Sequence, residues 1–183
     1  MNIYFTASIS GRKHYLSNYQ KIIDILQKEG HKVTSEHIID ASENQIDMET
    51  HEEREKFHKQ LKKWIIKSDC VVVEVSFPSI SIGFEISLAL SLGKPVLILY
   101  TKEAPSLLSS YENDKLMCTQ YNFFDLKNIL EDFLNYVHGN TSRRFTFFVS
   151  TQIDAYLESV SKKKHIPKAV YIRNLIEKDR DSS

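Results

Sequence analysis

The run CVVVEV at 70–75 is the feature that most constrains how this chain can fold. It is apolar at nearly every position, and Glu74 alone interrupts it. A strand that is hydrophobic on both faces is typical of a parallel sheet covered by helices on both sides, because an exposed face would carry alternating polar residues. A second run of this kind occupies 95–100. We therefore expect a core built around a buried sheet.

Helical patterns alternate with strand patterns through the first 137 residues. The predicted strands are Asn2–Ser8, His31–Ile39, Cys70–Val75 and Pro95–Tyr100, and the predicted helices are Tyr15–Glu29, Glu55–Lys67, Gly83–Leu92 and Asn122–Val137. The polar stretch Ala41–Glu53 is expected to be a connection. Strands alternating with helices predict the α/β class, here a doubly wound parallel sheet of the flavodoxin or Rossmann type.

The loop-forming sequence HGNTS at 138–142 marks a boundary between two predicted domains, 1–138 and 139–183. The 183-residue chain has no net charge, but residues 140–183 carry nine Lys/Arg and five Asp/Glu, so the tail is +4 and the rest is −4. This asymmetry suggests separate roles for body and tail, although a small helical appendage can also be basic by chance.

Several classes of protein are disfavoured by composition. No apolar run reaches the roughly 18–20 residues of a membrane span, and MNIYFTAS is typical of a first strand and not of a signal peptide. Two cysteines are too few for a disulfide scaffold. The seven histidines are scattered without a metal-ligand spacing. We expect a cytoplasmic protein without a metal or other cofactor.

Polar residues follow two of the predicted strands, where ligands bind in open parallel sheets. The first group is ASISGR at 7–12, and the second is SFPSISIGFE at 76–85. Ser79 offers a hydroxyl group, Gly83 allows close backbone approach, and Glu85 lies in the first turn of the next predicted helix. Glu85 has two interpretations: it complements the helix dipole, or it is a carboxylate aimed into the cleft.

Five segments together resemble the nucleoside 2-deoxyribosyltransferase superfamily, and most closely its branch that hydrolyses 2′-deoxynucleoside 5′-monophosphates. They are YFTASISG at 4–11, TSEHI at 34–38, FHKQLKKWIIKSDCVVVEV at 57–75, PSISIGFEI at 78–86 and LGKPVLILY at 92–100. The segments keep the order and spacing of the family over residues 1 to 137.

The resemblance implies that Glu85 attacks the anomeric carbon of a deoxyribose and forms a covalent sugar ester, which water or a second base then resolves. A carboxylate beneath that carbon also stabilises an oxocarbenium-like transition state. The implied contacts to the deoxynucleoside or deoxynucleotide come from Tyr4, Ser8, Ile9 and Ser79, and from Ser109 of a neighbouring subunit. A shared site implies a homodimer or a higher homo-oligomer.

The chain departs from the family pattern at three positions. Leu61 stands where the family has an Asp that positions the substrate or handles the proton. Ser10 replaces an Arg for the phosphate, which Arg12 could supply, and Ser81 replaces a glycine. Glu36 or Glu74 could take over the role of the missing Asp. A degraded enzyme that senses a nucleotide is therefore the alternative to a working one.

The tail resembles a ribbon-helix-helix module. RFTFFVS at 144–150 would be the ribbon, and 151–164 and 168–178 the two helices, the first capped by Thr151. Such ribbons pair between two chains and enter the major groove of DNA. Arg144 and Thr146 would then face DNA, and lysines of the tail would meet phosphates. Dimerisation alone is the other interpretation.

Overall fold

A five-stranded parallel sheet forms the centre of the protein, with strand order β2-β1-β3-β4-β5. It is seen in a computed structural model that describes residues 1–41, 50–103, 113–139, 149–164 and 168–182. The strands are β1 (Asn2–Ala7), β2 (Lys32–Thr34), β3 (Cys70–Glu74), β4 (Val96–Tyr100) and β5 (Leu116–Gln120). The helices are α1 (Arg12–Lys28), α2 (Glu36–Ile39), α3 (His51–Lys67), α4 (Ile80–Ser91), α5 (Leu126–Val137), α6 (Thr151–Lys164) and α7 (Lys168–Ser182). The predicted α/β class and doubly wound parallel sheet are confirmed.

The strand order reverses between β1 and β3, which are hydrogen-bonded neighbours. The chain leaves β1 for β2 on one side and then returns through α3 to β3 on the other. Ala7 pairs with Glu74, so both strands end at the same level. The loops that follow them diverge from one crevice, the place where ligands bind in sheets of this topology.

Each face of the sheet has its own apolar core. Alternate side chains of β1, β3 and β4 pack with α1 and α5 on one face, around Phe5, Tyr19 and Phe133. The intervening side chains pack with α3 and α4 on the other face, around Tyr4, Ile65 and Ile98. The apolar run at 70–75 is thus covered on both sides, as its sequence predicts.

Several element boundaries differ from the sequence predictions. The second strand ends at Thr34, because Ser35 begins the short helix α2. Helix α3 begins at His51, because Thr50 and Glu53 form a reciprocal capping box. Helix α4 begins at Ile80 and not at Gly83, so Glu85 lies in its second turn. Strand β5 was not predicted, and its mixed sequence LMCTQ is half exposed at the sheet edge.

The chain divides into two compact units, Met1–Ser142 and Arg143–Ser183. In the second unit, α6 and α7 contact each other, and the hydroxyl oxygens of Tyr156 and Tyr171 lie 3.2 Å apart. Ser150, and not Thr151, caps α6, because its hydroxyl group accepts a hydrogen bond from the Ile153 amide. The predicted ribbon residues Arg144 and Thr146 lie outside the described residues. None of the described helices is long and apolar enough to cross a membrane.

Candidate active site

The site is built around Tyr4, which lies in the middle of β1 and is fully buried on the α3/α4 face. Its hydroxyl group donates a hydrogen bond to Oε2 of Glu85 at 2.9 Å. Glu85 belongs to α4 and is 6% exposed, so its side chain points into the protein. This orientation excludes the interpretation that Glu85 merely complements the dipole at an exposed helix end.

His37 is the third member of this chain of polar groups. Its Nε2 lies 2.8 Å from the Tyr4 hydroxyl oxygen. Because the one Tyr4 hydroxyl proton goes to Glu85, Nε2 of His37 must carry the hydrogen and donate it to Tyr4. Burial lowers the pKa of His37 to about 4, so the ring is neutral at neutral pH.

Burial raises the pKa of Glu85 above the ordinary value of 4.5. The hydroxyl groups of Thr6 and Tyr4 oppose that rise, because they favour the charged form. Only Tyr4 does so through a hydrogen bond of ordinary geometry, since Thr6 Oγ1 has no such partner among the described residues. A partly desolvated carboxylate beside one strong donor is suited to nucleophilic attack.

Aromatic rings cover the site on its α3 side. The His37 ring stacks on Tyr4 and on Trp64 with centroid separations of 5.0 Å each. Phe57 contacts Trp64 edge-on at 6.2 Å. Phe57 is exposed and His37 and Trp64 are half-buried, so these three rings offer aromatic surface on which a nucleobase could stack. His37 and Trp64 were not assigned a role from the sequence, although both belong to the segments TSEHI and FHKQLKKWIIK that carry the resemblance.

Leu61 is 3% exposed and packs in the same apolar cluster as Tyr4. Its position on α3 therefore faces the site, but its side chain offers no proton and no hydrogen bond. The two candidate replacements have different surroundings. Glu74 alternates with Val73 along β3 and belongs to the opposite face, and Glu36 is exposed and accepts a hydrogen bond from the Ser35 amide.

The loop after β1 contains three of the predicted contact residues. Ser8 is buried, and its Oγ accepts a hydrogen bond from the Gly11 amide at 3.3 Å. Ile9 packs partly buried against the α1/α5 core. Arg12 donates from Nη2 to the Ile39 carbonyl group at 2.6 Å, while its buried Nε has no described partner. Arg12 is thus bonded to α2 through one of its five guanidinium N–H groups, and its other N–H groups could bind an anion.

Ser79 and Gly83 lie on the other loop and on the first turn of α4. Ser79 is the N-cap residue of α4, yet its side chain makes no capping hydrogen bond. Gly83 is exposed, and a Cβ atom built on it would meet no protein atom within 4 Å. The Ser79 hydroxyl group therefore does not cap the helix, and no packing contact within the protein requires a glycine at position 83. Ser109 lies outside the described residues.

Comparison with known proteins identifies the family of the chain. A family model described as nucleoside 2-deoxyribosyltransferase matches residues 3–142. The chain belongs to this family. It is 28% identical over 163 residues to the 5-hydroxymethyl-dUMP N-hydrolase of Rattus norvegicus, covering 89% of this chain and 88% of the relative.

One further sequence relative and one solved structure are also similar to this chain. The 5-hydroxymethyl-dUMP N-hydrolase of Danio rerio is 29% identical over 146 residues, which cover 76% of this chain and all of the relative. A 2-deoxyribosyltransferase from Bacillus psychrosaccharolyticus superposes with a TM-score of 0.50 at 18% identity, covering 70% of this chain and 91% of that one. The family confirms the expected class of reaction, which takes place at an N-glycosidic bond.

Proposed function

We propose that this protein hydrolyses the N-glycosidic bond of a pyrimidine 2′-deoxynucleoside 5′-monophosphate. The observation that carries the proposal is the buried Glu85 carboxylate held by the Tyr4 hydroxyl group, at the crevice where the strand order reverses. Its relatives in rat and zebrafish are hydrolases of 5-hydroxymethyl-dUMP, a substrate of this class.

The reaction proceeds in two displacements at the anomeric carbon. A Glu85 oxygen forms a bond to C1′ while the bond from C1′ to the base nitrogen breaks, and the base leaves with the electron pair. Water then attacks C1′, the ester bond to Glu85 breaks, and Glu85 leaves as a carboxylate, while the water gives one proton to the solvent and the departed base takes one up from it. Tyr4 occupies Oε2, which leaves Oε1 for the sugar.

The choice of a pyrimidine rests on Leu61. A purine is a poor leaving group unless it is protonated, whereas a uracil-type base leaves as an anion whose charge is spread over two carbonyl groups. Since Leu61 supplies no acid beside Tyr4, the site favours the base that needs none.

The phosphate is proposed to bind at the N-terminus of α4, where the free Ser79 hydroxyl group and the helix amides point outward. Arg12 and the partner subunit's Ser109 add to this contact, which makes the active form a homodimer or a higher homo-oligomer. The two cysteines are free, and we propose the cytoplasm, where thiols stay reduced, as the place where the protein acts.

The test is an HPLC measurement of free base released from a panel of deoxynucleoside monophosphates and deoxynucleosides. We expect release from pyrimidine monophosphates, loss of that release in Glu85→Ala, and unchanged release in Glu131→Ala, a matched change on the exposed face of α5. Release that survives Glu85→Ala would remove Glu85 from the mechanism.

A second proposal concerns the tail, which we propose to be a ribbon-helix-helix module that pairs two chains and contacts DNA. Its support is a separate compact unit with two adjacent helices and a net positive charge. Lys162 and Lys168 are paired with Glu158, so Arg144 is the better candidate for a DNA contact.

A gel shift separates DNA binding from dimerisation alone. We expect the full chain to shift DNA from upstream of its own gene, and rising salt to weaken this binding. Arg144→Ala should bind the same DNA more weakly than wild type at each salt concentration. A chain that dimerises but shifts no DNA at low salt would leave dimerisation as the role of the tail.

A further inference from the structure

Glu74 is a second buried carboxylate that the proposed reaction does not use. It is the last residue of β3 and is fully buried on the α1/α5 face of the sheet, opposite Glu85. A buried carboxylate away from the chemistry costs free energy unless it forms hydrogen bonds, so its retention requires an explanation.

All of the hydrogen bonds of Glu74 meet at one oxygen. Oε1 accepts from the Ser76 hydroxyl group, from the Ser76 amide at 3.3 Å and from the Tyr121 hydroxyl group at 3.3 Å. Ser76 Oγ in turn accepts from the Thr101 amide at 2.9 Å. Asn18 of α1 donates to the Tyr121 hydroxyl oxygen at 2.8 Å. Glu74 therefore connects the ends of β3, β4 and β5 with α1.

Both loops of the crevice are linked to this group. The residue after Ser76 is Phe77, which lies so close to Gly11 that a Cβ atom on Gly11 would be 2.7 Å from that of Phe77. The same Cβ atom would be 2.6 Å from the hydroxyl oxygen of Tyr19, which donates to the Ser8 carbonyl group at 3.2 Å. The loop that contains Ser8 and the loop that leads to Ser79 thus meet at Phe77, one residue beyond the Ser76 that is bonded to Glu74.

We infer that Glu74 is a positioning residue, whose ionised carboxylate holds the 8–11 and 75–79 loops in the arrangement that receives a nucleotide phosphate. The loop order follows from the structure alone, while the phosphate as ligand rests on the proposed function. Ionised Glu74 is the stronger acceptor for Ser76 and Tyr121. Protonated Glu74 would also present a buried O–H group at Oε2, which contacts no described acceptor.

This arrangement makes the loops sensitive to pH near neutrality. Burial raises the pKa of Glu74 to about 7, against the opposing effect of the hydrogen bonds from Ser76 and Tyr121. The titratable groups that face it are Tyr19 of α1 and Tyr121 after β5, and both have raised pKa values, so neither ionises in this range. No described lysine, arginine or histidine is bonded to Glu74. Its ionised form therefore dominates at pH 8 and its protonated form at pH 6.

Hydrogen–deuterium exchange of the full chain tests the loop order without any ligand. Glu74→Gln keeps the shape of the side chain but cannot ionise, so it mimics the protonated form. We expect the amides of 8–12 and 75–79 to exchange faster in Glu74→Gln than in wild type at pH 8, with a smaller difference at pH 6. Ser76→Ala, which removes the main donor, should show the same pattern, and Glu131→Gln should match wild type. Equal exchange in wild type and Glu74→Gln at pH 8 overturns the inference.

Calorimetric binding of 2′-deoxyuridine 5′-monophosphate tests the consequence for the ligand. The two proteins compared are Glu85→Gln and the double variant Glu74→Gln/Glu85→Gln, since Glu85→Gln prevents turnover in each. We expect Kd to be roughly tenfold higher with Glu74→Gln at pH 8 and nearly equal at pH 6, as for one hydrogen bond to a charged group. Equal Kd values at pH 8 overturn the inference and leave the proposed function intact. Faster exchange in Glu74→Gln, with no nucleotide bound by either protein, supports the loop order and contradicts the proposed function.

Discussion

Glu85 lies at the end of a buried chain of hydrogen bonds that runs from His37 through Tyr4 to its carboxylate. Each link fixes the direction of the next, because a tyrosine hydroxyl group has one proton to donate. The neutral histidine thereby turns the tyrosine proton towards the nucleophile. The Tyr4 hydroxyl group, whose direction is fixed by a histidine far away in sequence, thus opposes the rise that burial gives to the pKa of Glu85.

Removing the Tyr4 hydroxyl group should change the pH profile of the reaction. In wild type, kcat/KM falls as pH drops through the raised pKa of Glu85, because only the carboxylate attacks. Tyr4→Phe removes a hydrogen bond that favours the charged form, so this midpoint should move to higher pH by roughly one unit. Tyr136→Phe, which removes a hydroxyl group bonded to the Asp114 carbonyl in the same unit, is the control. A midpoint that stays in place in Tyr4→Phe would contradict the role of Tyr4.

Substitutions of Leu61 test whether the lack of a proton donor at this position disfavours purine substrates. An acid at this position beside Tyr4 should speed release of purines more than of pyrimidines, because only purines need a proton to leave. We expect Leu61→Asp to raise purine release and Leu61→Asn, which matches it in shape but is not an acid, to leave purine release unchanged. Equal effects of the two changes on purine release would show that a different group supplies the proton.

Helix α4 brings the proposed nucleophile and the proposed phosphate contact onto one element. Ser79 and Glu85 are six positions apart, at the N-cap and in the second turn. Gly83 lies between them, without a positive φ and without a protein neighbour that excludes a side chain. An unexplained glycine in a helix costs stability, which suggests that a ligand passes close to it.

Gly83→Ala should separate stability from binding. Alanine is favoured over glycine inside a helix by roughly 1 kcal/mol, so the free energy of unfolding in urea should rise. The added methyl group should raise KM for the deoxynucleotide, because it occupies the open space over α4 through which we expect the ligand to pass. Gly30 provides the contrasting control: it has a φ of 82°, so Gly30→Ala should destabilise the protein without a change in KM. An unchanged KM in Gly83→Ala would mean that no substrate approaches α4 at this point.

The buried strands β3 and β4 could be predicted from sequence because their apolar runs have one physical explanation. Strand β5 could not, since an edge strand with a half-exposed face has a mixed composition. The start of α3 was predicted at Glu55, although Thr50 and Glu53 have the spacing of a capping box that places it at His51. The partnership of Tyr4 with Glu85 depends on contacts across 81 positions, which no local pattern reveals. The residues alone made Glu85 one of two open interpretations, and only the resemblance gave it the role of nucleophile.

At the scale of the whole molecule, the proposed site belongs to two chains. The partner subunit's Ser109 is proposed to complete the phosphate contact that Ser79 begins, so a single chain would bind the nucleotide incompletely. In an isologous dimer each site would then combine Glu85 of one chain with Ser109 of the other.

Mixed dimers test this arrangement. Glu85→Ala removes the nucleophile, and Ser109→Asp places a negative charge against the phosphate, so each variant alone should be inactive. Co-expressed at equal levels, they should recover about a quarter of wild-type base release, because half of the dimers are mixed and each has one intact site. A mixture no more active than its parents would contradict a shared site.

The most direct test of the account is whether a sugar becomes bound to Glu85 during turnover. Protein mixed with 2′-deoxyuridine 5′-monophosphate is quenched in acid within the first turnover, digested with trypsin and analysed by mass spectrometry. The account predicts a deoxyribose 5-phosphate adduct in the peptide 68–102, localised by fragmentation to Glu85 and missing in Glu85→Gln. Base release without any adduct, or an adduct on another residue such as Glu74, would contradict it.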